Sequence, residues 1–214
     1  MEGVCEAVAH NSRVLPRGGG TKPVLSTPAD PGIAVLDLSG LAGIIEYDPS
    51  ELVITALAGT RVSDIEALLG SHGQTLAFDP VLSAAGATLG GTVASGLSGP
   101  GRYRRGGVRD FVVGARFVDG QARLVRGRGR VVKNVAGFDL PRLLVGSLGQ
   151  LAVLVEISLK VFPRPEAHGT VRLRGSITET LASVESLARS TFDIECLDVV
   201  PGDDSAELLA RLAG

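Results

Sequence analysis

Between Arg17 and Lys22 the chain reads Gly18-Gly19-Gly20-Thr21: three residues without a Cβ, then a hydroxyl, with a cation at each end. Such a run lets backbone N–H groups turn toward an anion and approach it closely, because no side chain stands in the way. Thr21 adds a donor, and Arg17 and Lys22 bring compensating charge. Aimed donors, open space and positive charge are what a diphosphate requires. The same composition also suits a plain glycine-rich turn, so the segment alone leaves both readings open.

A second small-residue segment follows, Gly86-Ala87-Thr88-Leu89-Gly90-Gly91-Thr92-Val93-Ala94-Ser95-Gly96. It can lead into a short helix, whose N-terminus would offer free N–H groups and the positive end of the helix dipole. Two phosphate-compatible loops suggest one extended ligand held from two sides. The usual nucleotide fingerprints fit poorly. The chain contains no G-x-G-x-x-G run and no G-x-x-x-x-G-K-[ST] run, which disfavours a Rossmann unit and a P-loop NTPase.

Other reactive side chains are sparse. His10, His72 and His168 are the three histidines, and none belongs to an evident acid–base constellation. Cys5 and Cys196 are isolated, so there is no C-x-x-C pair and no cysteine set for an iron–sulfur cluster. No metal site is expected. Residues 102–133 are rich in arginine, including Arg104-Arg105 and Arg126-Gly127-Arg128-Gly129-Arg130. A solvated basic face or a docking surface for an acidic partner both suit this stretch. An RNA-binding RGG segment suits it poorly, because the stretch lies between expected strands and Tyr103 is almost its only stacking aromatic.

These loops need elements to hold them. A helix is expected over 2–10, a short strand at 13–15 and another at 33–38. Residues 44–47 and 52–57 form a hairpin across Asp48-Pro49-Ser50. A helix over 63–72 carries Ser63 and Glu66 at capping-box spacing, with Val62, Ile65, Leu68 and Leu69 as its apolar stripe. Residues 76–83 read as extended. Asp119-Gly120 between apolar runs predicts a second hairpin over 111–125. Asp139 can cap a helix through Val145, closed by Gly146. Residues 151–162 alternate, with Val153, Val155, Ile157, Leu159 and Val161 on one face. Pro163-Arg164-Pro165 marks a boundary, placing residues 1–165 in a first domain and 166–214 in a short βαβα segment. In that segment Ser176 and Glu179 have capping-box spacing, Ile177, Leu181, Val184 and Ala188 share a face, and a terminal helix is expected over 206–212.

The 214 residues suffice for a real core, and the near-balance of 21 basic and 23 acidic groups gives no pull toward nucleic acid or anionic membrane. No apolar run approaches the ~18 residues of a membrane span. Met1-Glu2-Gly3-Val4-Cys5 lacks the basic and apolar regions of a signal peptide. A cytoplasmic location is expected.

Several segments, taken in order, carry a family resemblance. They are Tyr47-Asp48-Pro49-Ser50-Glu51-Leu52-Val53-Ile54-Thr55-Ala56, then Gly86 onward to Leu97-Ser98-Gly99-Pro100, then Val108-Arg109-Asp110-Phe111-Val112-Val113-Gly114. Val132-Lys133-Asn134-Val135-Ala136-Gly137-Phe138-Asp139-Leu140 and Gly146-Ser147-Leu148-Gly149, running on to Pro163, complete the set. Over residues 13–165 the chain resembles the FAD-binding fold of the p-cresol methylhydroxylase and vanillyl-alcohol oxidase superfamily, and more narrowly the FAD-binding subunits of bacterial glycolate oxidases.

The resemblance implies an α+β fold, a PCMH/VAO-type FAD-binding domain of two α+β subdomains followed by a truncated α/β cap. It implies noncovalent FAD, with Arg17, Gly18, Gly19, Gly20, Thr21 and Lys22 on the diphosphate. Pro80, Gly86, Ala87, Thr88, Gly90, Gly91, Ser95 and Gly96 would line the rest of the dinucleotide, and Val153 would meet the adenine side through its backbone. Lys133 and Asn134 fall in the subgroup's distinctive motif with no assigned role. The resemblance further implies an electron-transfer role beside a larger homologous FAD subunit and an iron–sulfur subunit, together oxidising a 2-hydroxy acid, with peripheral attachment at the inner membrane through that complex. A stand-alone flavin oxidoreductase and a non-redox assembly subunit are the alternatives. Relatives carry a strand ahead of the first helix and a cap about twice as long, so a first βαβ unit without its edge strand is expected here.

Overall fold

The computed structural model describes residues 1–25, 30–127 and 138–213. The chain begins with helix α1 (Glu2–His10), strand β1 (Val14–Arg17), a 3-10 turn at Pro23–Leu25 and strand β2 (Ala34–Asp37). Strands β1 and β2 pair in parallel, Val14 opposite Ala34 and Arg17 opposite Asp37. Val4 of α1 packs with Leu38, Val118, Val153 and Val155, so this first unit leans on the back of the main sheet.

That sheet is antiparallel throughout and has five strands in the order β3-β4-β8-β6-β7. They are β3 (Ile44–Asp48), β4 (Val53–Leu57), β6 (Val112–Val118), β7 (Leu124–Gly127) and β8 (Val153–Lys160). Both expected hairpins form. In the first, Asp48 Oδ1 accepts hydrogen bonds from the N–H and hydroxyl of Ser50, which is why the chain turns there. Strand β8 sits at the centre, and Val155, Ile157 and Leu159 are fully buried, as the alternation of the sequence requires.

Helix α2 (Val62–Ser71), the short strand β5 (Gln74–Thr75), helices α3 (Leu89–Ser95), α4 (Arg102–Arg105), α5 (Val108–Phe111) and α6 (Leu140–Leu143), and strand β9 (Phe162–Pro163) cover the other face. Val62, Ile65 and Leu69 of α2 enter the core. Phe111 lies edge-on between Phe78 and Phe162, with ring centroids 5.2 and 5.5 Å away. Beyond Pro163 a separate three-stranded antiparallel sheet, ordered β10-β12-β11, is built from β10 (His168–Gly175), β11 (Ile194–Pro201) and β12 (Ala206–Ala213), with α7 (Ile177–Ala188) packed on it.

Four local expectations are corrected. Residues 206–212 form the central strand β12, not a helix; Ala206, Leu208 and Ala210 are buried at a spacing of two, and pairing on both edges overrides the helix-favouring composition. The tail is therefore βαββ. Helix α2 starts one residue early, at Arg61 as N-cap, because Arg61 is held extended by a bridge to Thr88; Ser63 caps nothing and Glu66 instead accepts from Ser83 Oγ. Residues 76–83 are mostly turns, with only Gln74 and Thr75 paired as strand. Asp139 does cap α6, but that helix ends at Leu143.

The Ser176–Glu179 capping box of α7 is present. Its expected apolar face is not buried: Ile177 and Leu181 are 52% and 59% exposed, and the helix meets the sheet through Thr180. The Lys133–Asn134 motif and the arginines at 128 and 130 lie outside the described residues.

Candidate functional site

Strand β1 delivers Arg17 to the edge of the two-stranded sheet, and Gly18 then turns the chain directly against the second glycine segment. A Cβ at Gly18 would overlap Thr88 Oγ1, and one at Gly19 would overlap the carbonyl oxygen of Gly86. The two loops that the sequence suggested as two sides of one ligand site are thus in contact. Gly20 sits at φ +63°, with the Arg17 guanidinium folded over it so that an added Cβ would lie 3.2 Å from Nη2.

Among the described residues, no acceptor takes the backbone N–H of Gly18, Gly19, Gly20, Thr21 or Lys22. Lys22 Nζ reaches Thr21 Oγ1 at 3.4 Å, and no carboxylate among the described residues pairs with it. Partial burial holds its amine below the usual lysine value, because desolvation penalises the charged form. An anion against this loop would satisfy the N–H groups and compensate that charge.

The second segment behaves differently from its sequence expectation. Thr88 caps α3, accepting from Gly91 N–H. The N–H groups of Leu89 and Gly90 are already bonded to the carbonyls of Thr60 and Ala58, at 2.8 and 2.7 Å. The α3 N-terminus is therefore spent on the core, and a run of consecutive amides unengaged among the described residues belongs to the first loop. Gly90 instead permits close approach: a Cβ there would lie 2.8 Å from Ala58 Cβ. Ala87 is fully buried, its N–H bonded to Leu82 and its carbonyl to Val62 N–H, so it shapes the loop from inside. Ser95 Oγ bonds back to Thr92, and Gly96 closes α3 at φ +67°.

A third turn, which the sequence reading quoted without assigning it to the site, completes the arrangement. Gly146 N–H and Leu148 N–H donate to the carbonyls of Val93 and Ala94 at the end of α3. Gly149, at φ +77°, brings this turn against Pro16, where a Cβ would lie 3.2 Å from the ring. Between the three turns runs a groove. Its inner part, a space of about 50 Å³, is walled by Gly18, Ala58, Thr88, Gly90, Gly91, and Gly149. Its outer part, about 360 Å³, opens between β1, the β6–β7 turn and the start of β8. Pro16, Leu148, Gly149 and Ala152 line both parts, which are therefore adjacent.

Val153 lines the outer part, beside Val14, Ile33 and Val118. Pro80 lines neither part and lies after Asp79 near the three-stranded sheet. The three histidines also lie elsewhere: His10 Nδ1 is at the Glu6 carbonyl, His72 packs edge-on against Tyr47, and His168 opens β10. A catalytic base is not identified among them. Residues 148–152, Leu38, Ala58 and Leu154 were missed as groove walls; the Gly-Ser-x-Gly turn was the signal that could have found the first of these.

A family model described as an FAD binding domain matches residues 2–128. The chain belongs to the FAD-binding domain family. FAD is accordingly its cofactor, and the residues present fit that group: a loop of amides unengaged among the described residues and a partly buried lysine suit an anion, next to a groove that Gly18 lines and whose outer part mixes apolar walls with Asn11, Ser12, Arg13, Asp119 and Gln150. Glycolate oxidase subunit GlcE of Escherichia coli (strain K12) is 45% identical over 184 residues, covering 86% of this chain and 52% of that protein. Glycolate oxidase subunit GlcD of Bacillus subtilis (strain 168) is 30% identical over 192 residues, covering 90% and 39%. A solved alkyldihydroxyacetonephosphate synthase superposes with a TM-score of 0.80 at 20% identity, over 99% of this chain and 44% of its own. That likeness shows the VAO-type α+β fold. The chain spans about half the length, or less, of these relatives.

Proposed function

We propose that this chain is the FAD-binding electron-transfer subunit of a heteromeric glycolate-oxidase-like complex that oxidises a 2-hydroxy acid. The observation that supports it most is the loop of Gly18 to Lys22, pressed against Gly86 and Thr88, whose N–H groups have no acceptor and whose lysine has no carboxylate partner among the described residues. In this reading the diphosphate lies on Gly18, Gly19, Gly20, Thr21 and Lys22, with Arg17 over the turn. Thr88, Gly90 and Gly91 wall the inner groove, and the adenosine occupies the outer part against Val153. Pro80, Ser95 and Gly96 face the flavin end, on the side of the three-stranded sheet. Residues 1–165 act as the FAD-binding unit and 166–214 as a short cap.

Bound FAD would supply a redox group that takes up and passes on electrons within the complex. The chain's own residues hold and orient that group and keep water from its diphosphate. With no histidine in the groove, substrate oxidation falls to a larger homologous FAD subunit, and an iron–sulfur subunit carries electrons onward. Among the described residues no helix is long and apolar enough to cross a membrane; a cytoplasmic, peripheral attachment through the complex follows from this reading.

The test is the visible spectrum of the purified chain after FAD addition and desalting, followed by co-purification with the larger subunit. Retained flavin, little glycolate turnover alone and turnover on reconstitution are expected. Robust turnover by the isolated chain would defeat the helper role, and a folded but colourless protein that still co-purifies would make it an assembly subunit.

A further inference from the structure

Asp79 stands where the two parts of the molecule meet. Its backbone is left-handed, at φ +48°, a conformation that aspartate tolerates better than most residues. One carboxylate oxygen, Oδ2, takes three donors. Gly101 N–H reaches it at 2.8 Å, Arg211 Nη2 of β12 at 2.8 Å, and the Cys196 thiol of β11 at 3.4 Å. On its other side Glu195 Oε2 lies 3.3 Å from Arg211 Nε, an ion pair in which Nε–H makes no hydrogen bond. The main chain of Asp79 is engaged as well, its carbonyl accepting from Gly99 N–H at 2.7 Å.

The 99–101 turn wraps closely around this residue. A Cβ at Gly99 would lie 2.7 Å from the Asp79 carbonyl oxygen, and one at Gly101 would lie 2.7 Å from Oδ2. The turn continues the segment that closes α3 at Ser95 and Gly96, and Pro80 is the next residue after Asp79. One oxygen therefore serves both the seating of the three-stranded sheet and the shape of the segments assigned above to the flavin end. The Arg211 and Asp79 side chains are only 31% and 29% exposed, so solvent substitutes poorly for the lost partner if either is removed.

We propose that Asp79 is a positioning residue that couples the seating of the β10-β12-β11 sheet to FAD binding, by sharing one carboxylate oxygen between Arg211 and Cys196 on one side and the 99–101 turn on the other. The coupling rests on the FAD reading above. Because coupling between two sites is reciprocal, FAD must seat the sheet by the same factor that the seated sheet tightens FAD.

Cys196 provides a local reporter of seating, since it is buried against Asp79. The full chain carrying Cys5→Ser leaves it as the sole thiol. Asp79→Asn in that background keeps a residue suited to the left-handed backbone and removes the charge that holds Arg211. The measurements are the rate of Cys196 reaction with an aromatic disulfide, with and without FAD, together with the FAD Kd and the fine structure of the flavin absorption band. In the parent FAD is expected to slow the thiol reaction about tenfold; in Asp79→Asn that FAD dependence is expected to be lost, with FAD bound about tenfold more weakly and the band blurred. Unchanged FAD affinity and band in Asp79→Asn would overturn the coupling, as would a thiol rate that FAD slows by the same factor in parent and variant. If Asp79→Asn fails to fold by circular dichroism, Arg211→Met poses the same question with the 99–101 turn intact. A parent protein that never retains FAD would instead overturn the cofactor reading, and the coupling with it, while the thiol rates still report the seating.

Discussion

Gly19→Ala adds a single carbon at the point where the two glycine loops touch. That carbon would overlap the Gly86 carbonyl oxygen and lie 3.1 Å from its carbon. Carbon atoms in contact sit about 3.5–4.0 Å apart, and the overlap with the oxygen is tighter still, so the loops must part by roughly an ångström. The obstacle is backbone on both sides, and no rotamer relieves it. At Gly18 the added Cβ meets the Thr88 side chain instead, which makes Gly18→Ala the milder change. Hydrogen bonds to a charged group contribute about 1.5–3 kcal/mol each, so misaiming two of the loop N–H groups costs about 3–6 kcal/mol. The FAD Kd should rise roughly 10²- to 10⁴-fold. Gly70→Ala, in α2 with open space around it, is the control and should leave the Kd unchanged. The assay is FAD titration by fluorescence quenching, with far-UV circular dichroism to confirm folding. A folded Gly19→Ala protein with parental FAD affinity would refute the placement of the diphosphate on this loop.

Lys22→Met should weaken FAD about tenfold and flatten the salt dependence of its Kd, measured by the same titration. Burial lowers the Lys22 pKa in the folded chain. The unfolded chain therefore binds more protons between that lowered value and 10.5, and stability without FAD should rise with pH across the window relative to Lys22→Met, read by urea melts. The Cys196 thiol is pushed up from 9.0 to about 12, by burial first and by Asp79 second. The stability this contributes is full below pH 9 and is lost as pH climbs toward 12, so the parental advantage over Cys196→Ala should shrink above pH 9. Leu208, fully buried in the central strand β12, should cost about 2–5 kcal/mol as Leu208→Ala in a denaturant melt. A cost below about 1 kcal/mol would argue against the strand.

What the sequence made legible was local. The alternation from Val153 to Val161 located the central strand, the Asp48-Pro49-Ser50 and Asp119-Gly120 turns located both hairpins, and of the two glycine-rich runs Gly18, Thr88, Gly90 and Gly91 line the inner groove. What it hid was tertiary. The N-terminus of α3 looked open, yet the carbonyls of Ala58 and Thr60, some thirty residues earlier, occupy its N–H groups. The 206–212 stretch has helix-favouring Glu, Leu and Ala, and only its two strand neighbours make it a strand. The α7 stripe was periodic, but Ile177 and Leu181 face outward in this chain. Periodicity identifies an apolar face without naming what it packs on.

The position of β8 in the main sheet has a consequence for biosynthesis. Strand β4 pairs with β3 on one side and with β8 on the other, and the hydroxyls of Thr55 and Ser158, 103 residues apart, meet at 2.8 Å across that second seam. Until β8 leaves the ribosome, β4 has an unsatisfied edge, and the groove lacks the wall made by residues 148–154. On the proposed placement of FAD, a nascent chain carrying both glycine loops would still lack one wall of the cofactor groove, however complete its first ninety-six residues. Such long-range closure is slow and leaves a strand edge open to misplaced pairing. Flavin acquisition becomes a late event that reports completion of the sheet.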